Sequence, residues 1–177
     1  MVSKKTKNSK LKTQNCCPIA VVVGSDSDMD VMQGCIDTLF EFGIKPVVRI
    51  ISAHRTPQIA AEFAENAAQS GIKVIIAAAG MAAHLAGALA ARTTLPVIAV
   101  PLISASGLEG IDALLSTIEM PPGVPVATMA IGKAGTKNAA IFAVQILALK
   151  DKKLAKKLAE FKKTQQQKVI EKDSALQ

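Results

Sequence analysis

Residues 19–28 read Ile-Ala-Val-Val-Val-Gly-Ser-Asp-Ser-Asp, and the fold is decided there. Five consecutive apolar residues, mostly β-branched, suit a short strand buried on both faces. Gly24 ends it. From Asp28 to Phe42 the apolar residues Met29, Met32, Ile36, Leu39 and Phe40 recur at helical spacing, so a helix follows the polar loop directly. Outward from this unit the alternation repeats. Gly43 closes the helix and Pro46 to Ile51 gives a second strand. Pro57 opens a second helix, where its missing N–H costs nothing, and that helix runs to about Ser70 before Gly71. Val74 to Ala77, Pro96 to Val100 and Val124 to Thr128 read as further strands. Ala82 to Arg92, Gly110 to Ile118, Ala134 to Leu149 and residues 151–172 read as helices. Strands apolar on both faces and alternating with helices predict a three-layer α/β fold with a five-stranded parallel sheet covered on both sides. One catalytic domain is expected over 18–150, with a basic tail over 1–17 and a Lys-rich C-terminal helix and tail over 151–177.

The net charge of +7 belongs to the ends. Residues 1–17 carry five Lys and no acid, residues 150–177 nine Lys and four acids, and the body between them is −3. The chain has no Trp or Tyr and five Phe, so the aromatic platforms that stack bases are missing. No nucleic-acid role is expected. Cys16, Cys17 and Cys35 have no metal-type spacing and read as reduced thiols in a cytoplasmic protein. Residues 1–15 are too polar and basic for a signal peptide. The run Val74 to Ala91 has the length of a membrane span, but Gly80, His84 and Gly87 divide it into a strand, a loop and a helix, so no membrane association is expected.

In parallel sheets ligands sit beyond the carboxyl ends of the strands, and the polar residues gather there. Gly24-Ser25-Asp26-Ser27-Asp28 opens a helix with free N–H groups and hydroxyls, an anion-binding arrangement that simple capping by Ser27 or Asp26 also accounts for. Its two acids, Asp26 and Asp28, repel a phosphate unless one accepts from sugar hydroxyls, and Asp28 is the candidate. Ser52-Ala53-His54-Arg55 follows the second strand: His54 offers proton transfer near neutral pH and Arg55 positive charge. His84 either orients a substrate or caps its own loop. The Ala- and Gly-rich stretch Ala77 to Ala91 lets a ligand approach backbone amides, or lets helices pack closely. Lys133 reads as a solvated or subunit-contact residue.

Taken together, GSDSD, SAHRTP, GMAAHLAG, LEGIDALLSTIEMPPGVPVAT and AIGKAGTKNAA, in this order over residues 18–150, resemble the N5-carboxyaminoimidazole ribonucleotide mutase family of purine biosynthesis. The resemblance implies a flavodoxin-like fold, a homo-octamer with sites at subunit contacts, and carboxyl transfer from the exocyclic nitrogen to the imidazole carbon of a ribonucleotide without ATP, metal or biotin. No cofactor is implied, and an ATP-dependent carbamate-forming synthetase is the implied neighbour in the pathway. By position, His54 matches the catalytic histidine, Arg55 the phosphate-binding arginine, and Ser25 and Asp28 the ligand-binding residues of the first loop. Ser27 and Ser52 match hydroxyls lining the same pocket. Gly80, Ala82, Ala83, His84 and Leu85 match the loop that closes over the migrating carboxylate. Met29 stands where an aromatic is usual, and Met81 and Ala86 depart from the commoner Gly-Gly-Ala-Ala-His-Leu-Pro-Gly. Two other readings stay open. One is a direct aminoimidazole ribonucleotide carboxylase using free carbon dioxide. The other is a flavin-binding electron carrier, which leaves His54 and Arg55 idle.

Overall fold

The computed structural model describes residues 17–177; the expected basic tail, apart from Cys17, lies outside the described residues. The elements are β1 (Ile19–Val23), a 3-10 turn (Asp26–Asp28), α1 (Met29–Glu41), β2 (Val47–Ile50), α2 (Pro57–Ala67), β3 (Val74–Gly80), α3 (Leu85–Ala90), β4 (Val97–Leu102), α4 (Ile111–Ile118), β5 (Ala127–Thr128), α5 (Lys133–Ala148) and α6 (Lys152–Ser174). All five strands are parallel, in the order β2-β1-β3-β4-β5. The chain reverses direction of travel across the sheet between β1 and β3, the switch point at which open α/β sheets bind ligands.

Strand period fixes the layers. Ile19, Val21, Val23, Ile76, Ile98 and Val100 point to one face, where they pack with Met32, Cys35 and Leu39 of α1 and Ala139, Ala140, Ala143 and Val144 of α5. Ala20, Val22, Ile75, Ala77 and Ala99 point to the other, against Ala60, Ala64 and Ala67 of α2 and Leu85, Ala86 and Leu89 of α3. Burial pushes the Cys35 thiol up to about 12, so it packs as a neutral apolar group.

The glycines read as helix stops act as such. After α1, Gly43 takes φ 79°, the Ile44 N–H reaches the Leu39 carbonyl at 2.9 Å and the Gly43 N–H reaches Phe40 at 2.8 Å; the left-handed residue thus satisfies carbonyls the helix leaves open. Gly71 repeats the pattern after α2, with Ile72 bonded to Ala67. Asp151 caps α6 by accepting from the Lys153 and Leu154 N–H groups. Lys157 then donates to the Phe42 carbonyl at 2.8 Å, and the Phe42 and Phe161 rings meet at 5.6 Å.

Several expectations are corrected. The third helix starts at Leu85 and not Ala82, because Ala82–His84 form the turn that brings the chain off β3. The fifth strand has two residues: Pro125 lacks an N–H, and a turn bonds Val124 back to Pro121. β2 is an edge strand rather than a buried one, with Val48, Arg49 and Ile50 exposed. Leu154, Leu158 and Phe161 of α6 pack on the same cluster as α5. No helix among the described residues is long and apolar enough to cross a membrane.

Candidate active site

Beyond the carboxyl ends of β1, β2, β3 and β4 the structure has a cavity of about 630 Å³. Its lining includes Gly24, Ser25, Ser27 and Asp28 from the first loop and Ser52, His54 and Arg55 from the second. The third loop contributes Gly80, Ala82 and Leu85. Nine of the eleven residues singled out in the sequence, together with Ala53, thus share one space. Ala83 and His84 are outside the lining: Ala83 is buried, and the His84 side chain reaches the site only through His54.

Each loop is held by its own hydrogen bonds. The Gly24 N–H bonds to the Ala78 carbonyl at 3.0 Å, tying the end of β1 to β3. The Asp28 carboxylate accepts from the Ser25 N–H at 3.1 Å, and the Ser25 hydroxyl donates to Asp26 at 2.9 Å. The hydroxyl of Ser25 and the backbone N–H groups of Ser27 and Asp26 itself therefore hold the Asp26 carboxyl below the usual carboxylate range, with a smaller pull from the Arg55 charge. Asp28 goes the other way. Partial burial raises its pKa against the Ser25 hydrogen bond, and the neighbouring Asp26 charge adds to the rise. One acid is thus kept charged at the mouth of the loop, while the acid turned into the cavity is less averse to a proton or to a hydroxyl partner.

In the second loop Ser52 accepts from both the Arg55 backbone N–H (3.2 Å) and its Nε (3.4 Å), while the guanidinium donates to the Gly24 carbonyl at 3.2 Å. Arg55 is thereby held across the first and second loops with donors to spare for an anion. Thr56 closes the turn, donating to the Ser52 carbonyl at 2.8 Å and accepting from its N–H. The His54 Nε2 lies 2.9 Å from His84 Nδ1, a contact no spacing in the sequence revealed.

The third loop is close-fitting. A Cβ on Gly80 would meet the Leu102 carbonyl oxygen and the Ser104 Cβ at 3.2 Å, so a side chain there would press on the chain after β4. Met81, next to it, takes φ 54°, in the left-handed region. Sequence reasoning missed Ile103, Ser104 and Ala105, which complete the cavity wall. They carry no charge or imidazole, and their one signal is position just past the end of β4. Of the two readings of His84, capping finds no side-chain bond: the residue stands at the start of α3, but its ring turns to His54.

An imidazole, a guanidinium, four hydroxyls and small-residue loops around one cavity suit a phosphorylated ligand and a proton transfer. Comparison with known proteins agrees with that chemistry. The family model described as AIR carboxylase matches residues 18–168. The N5-carboxyaminoimidazole ribonucleotide mutase of Bacillus subtilis (strain 168) is 49% identical over 158 residues, covering 89% of this chain and 97% of that protein. The protein of the same name from Escherichia coli (strain K12) is 47% identical over 157 residues, covering 89% and 92%. The crystal structure of Treponema denticola PurE superposes with a TM-score of 0.80 at 32% identity, covering 90% of this chain and 98% of that one. The parallel sheet of this chain, the motif order and the extent of the match leave one assignment: the chain belongs to the AIR carboxylase family.

Proposed function

We propose that this chain is an isomerase of purine biosynthesis that converts N5-carboxyaminoimidazole ribonucleotide to 4-carboxy-5-aminoimidazole ribonucleotide. The observation that carries the reading is the placement of His54 and Arg55 on one cavity with the Ser25–Asp28 loop and the Gly80–Ala82 loop. Arg55 and the hydroxyls of Ser25, Ser27 and Ser52 hold the ribonucleotide phosphate, and Asp28 accepts from ribose hydroxyls. The carbamate C–N bond breaks, its electron pair returns to the exocyclic nitrogen, and His54 supplies the proton that nitrogen takes. The ring carbon then attacks the trapped carbon dioxide, and His54 removes the proton from that carbon. Backbone N–H groups around Gly80 and Ala82 hold the carboxylate while the small-residue loop keeps water out. The test is product formation from the carbamate substrate without ATP and in the presence of a chelator; a protein inert to the carbamate overturns the reading.

The description of the matching family favours a second reading, direct carboxylation of the aminoimidazole ribonucleotide by free carbon dioxide. Labelled bicarbonate separates the two. A mutase incorporates label slowly relative to turnover, and a carboxylase incorporates it at the turnover rate.

The working form is a cytoplasmic homo-octamer, acting after an ATP-dependent synthetase that forms the carbamate. Support for assembly comes from the exposed apolar stripe Ile111, Leu115 and Ile118 along α4, continued by Leu108. Light scattering that reports a monomer at working concentration contradicts it.

A further inference from the structure

We infer that Ser104, in the loop after β4, is a substrate-binding residue whose hydroxyl donates to the carboxyl group as that group leaves nitrogen and joins carbon. The inference rests on the reading of the chain as a ribonucleotide mutase and adds to it where in the cavity the carboxyl group lies.

The strand order works as a ruler. β2, β1, β3 and β4 lie side by side, about 4.8 Å apart per step, and the chain beyond each of them lines the cavity. Arg55, after β2, donates to the Gly24 carbonyl at the end of β1, so the phosphate belongs at that end. Asp28, read as the ribose acceptor, is on the β1 side: its Oδ2 stands 3.7 Å from the position of a Cβ on Gly24. The base therefore extends toward β3 and β4. There Gly80 pairs with Leu102, and Ser104 Cβ lies 3.2 Å from the position of a Cβ on Gly80. The Ser104 oxygen turns on a single bond and stays within a bond length of that carbon.

Ser104 also has a donor to give. Its carbonyl is engaged by the Gly107 N–H at 3.0 Å, but among the described residues its hydroxyl has no hydrogen-bond partner. The Ser25 hydroxyl is spent on Asp26, and Ser52 and the guanidinium of Arg55 are tied together at the other end of the cavity. Ser104 is thus the hydroxyl on the β4 side, and it stands between the apolar Ile103 and Ala105.

A neutral donor among apolar neighbours suits this cargo. The carboxyl group is an anion on nitrogen, neutral carbon dioxide when detached, and an anion again on carbon. A lysine or arginine beside it would bind the two anions about twice as strongly as a neutral donor does, and would hold the group back just where its charge disappears. A hydroxyl keeps the anions oriented and releases less on their neutralisation, while Ile103 and Ala105 offer the detached gas an apolar wall.

The test measures, by calorimetry, two ligands on Ser104→Ala: aminoimidazole ribonucleotide, which lacks the carboxyl group, and 4-carboxy-5-aminoimidazole ribonucleotide, which has it. The carboxylated ligand is expected to bind about 10-fold or more weakly than to the parent, with the other unchanged. Equal losses for both ligands, or an unchanged affinity for the carboxylated one, overturn the inference. Turnover gives a second readout. Fed the carbamate, the Ala variant should release about 10-fold more free aminoimidazole ribonucleotide per product formed, above the breakdown in buffer, because carbon dioxide escapes before recapture. An unchanged release ratio overturns the inference. Ser104→Cys, near in volume and a weak donor, should fall between Ala and the parent in both readouts; a Cys variant worse than Ala shows that shape decides, and overturns it too. If the parent protein is inert to the carbamate, the proposed reaction fails, while the binding difference still decides the place of the carboxyl group.

Discussion

α1 and α2 cover opposite faces of the sheet, and they are built differently. α1 buries Met32, Cys35, Ile36 and Leu39, and α2 buries Ala60, Ala64 and Ala67. The first helix meets the core through large side chains, each worth about 1.5–3 kcal/mol when fully buried. The second meets it through methyl groups. α2 and α3 share one face of the sheet, and the loops at their N-terminal ends carry His54 and His84 to hydrogen-bond distance. α1 contributes stability, and α2 contributes placement.

Four substitutions break or sharpen that contrast. The largest effect is expected on the α2 side from His54→Asn. Turnover should fall at least about 100-fold, in the range of general acid–base catalysis, with unfolding midpoint and ribonucleotide binding unchanged. Turnover near that of the parent would remove His54 from the mechanism. On the other side, Leu39→Ala should cost about 2–5 kcal/mol in urea unfolding while the folded fraction keeps its kcat at 25 °C. A lowered kcat there would show that the two faces are not separable. Ala64→Leu should cost less, about 1–3 kcal/mol for overpacking, and yet reduce kcat, because lifting α2 moves His54 relative to His84. If kcat stays at the parent value, close packing of α2 is not what sets the pair.

The smallest effect is expected from Asp28→Asn, and its sign follows from linkage. Burial raises the folded-state pKa of Asp28 above its unfolded value. The unfolded chain therefore gives up the proton first as pH rises, and ionised Asp28 costs stability above the folded pKa. Asn removes that cost and keeps an acceptor for the Ser25 N–H. At pH 7 the variant should melt slightly higher than the parent and lose ribose recognition, with the Tm difference vanishing as pH falls below the unfolded carboxyl pKa. A lower Tm at pH 7 would mean that the charged form is stabilised in place.

Much of the architecture is legible in residues 19–28, because a β-branched run followed by a polar loop and a helical repeat admits few other structures. The site loops follow from the rule that ligands sit beyond strand ends, which placed Ser25, Asp28, Ser52, His54 and Arg55 correctly on one cavity. What stayed hidden needed packing to appear. Ala82 and Ala83 fit a helix as well as a turn, so the sequence pattern puts the start of α3 three residues early. Val48 and Ile50 look like core residues by type, and only the strand order shows that β2 is an edge. The His54–His84 contact spans thirty positions and depends on two helices lying side by side, which no local pattern encodes.

Met81 has a consequence of another kind. It holds φ 54° at the cavity rim, where the related pattern more often has glycine, and its side chain is 49% exposed. A non-glycine residue in that conformation costs about 1–2 kcal/mol, yet it also narrows what the unfolded chain can explore. Glycine would relax the backbone and let the loop wander, so an incoming ligand would have to select a shape from many. With methionine that narrowing is built into the chain before any ligand arrives.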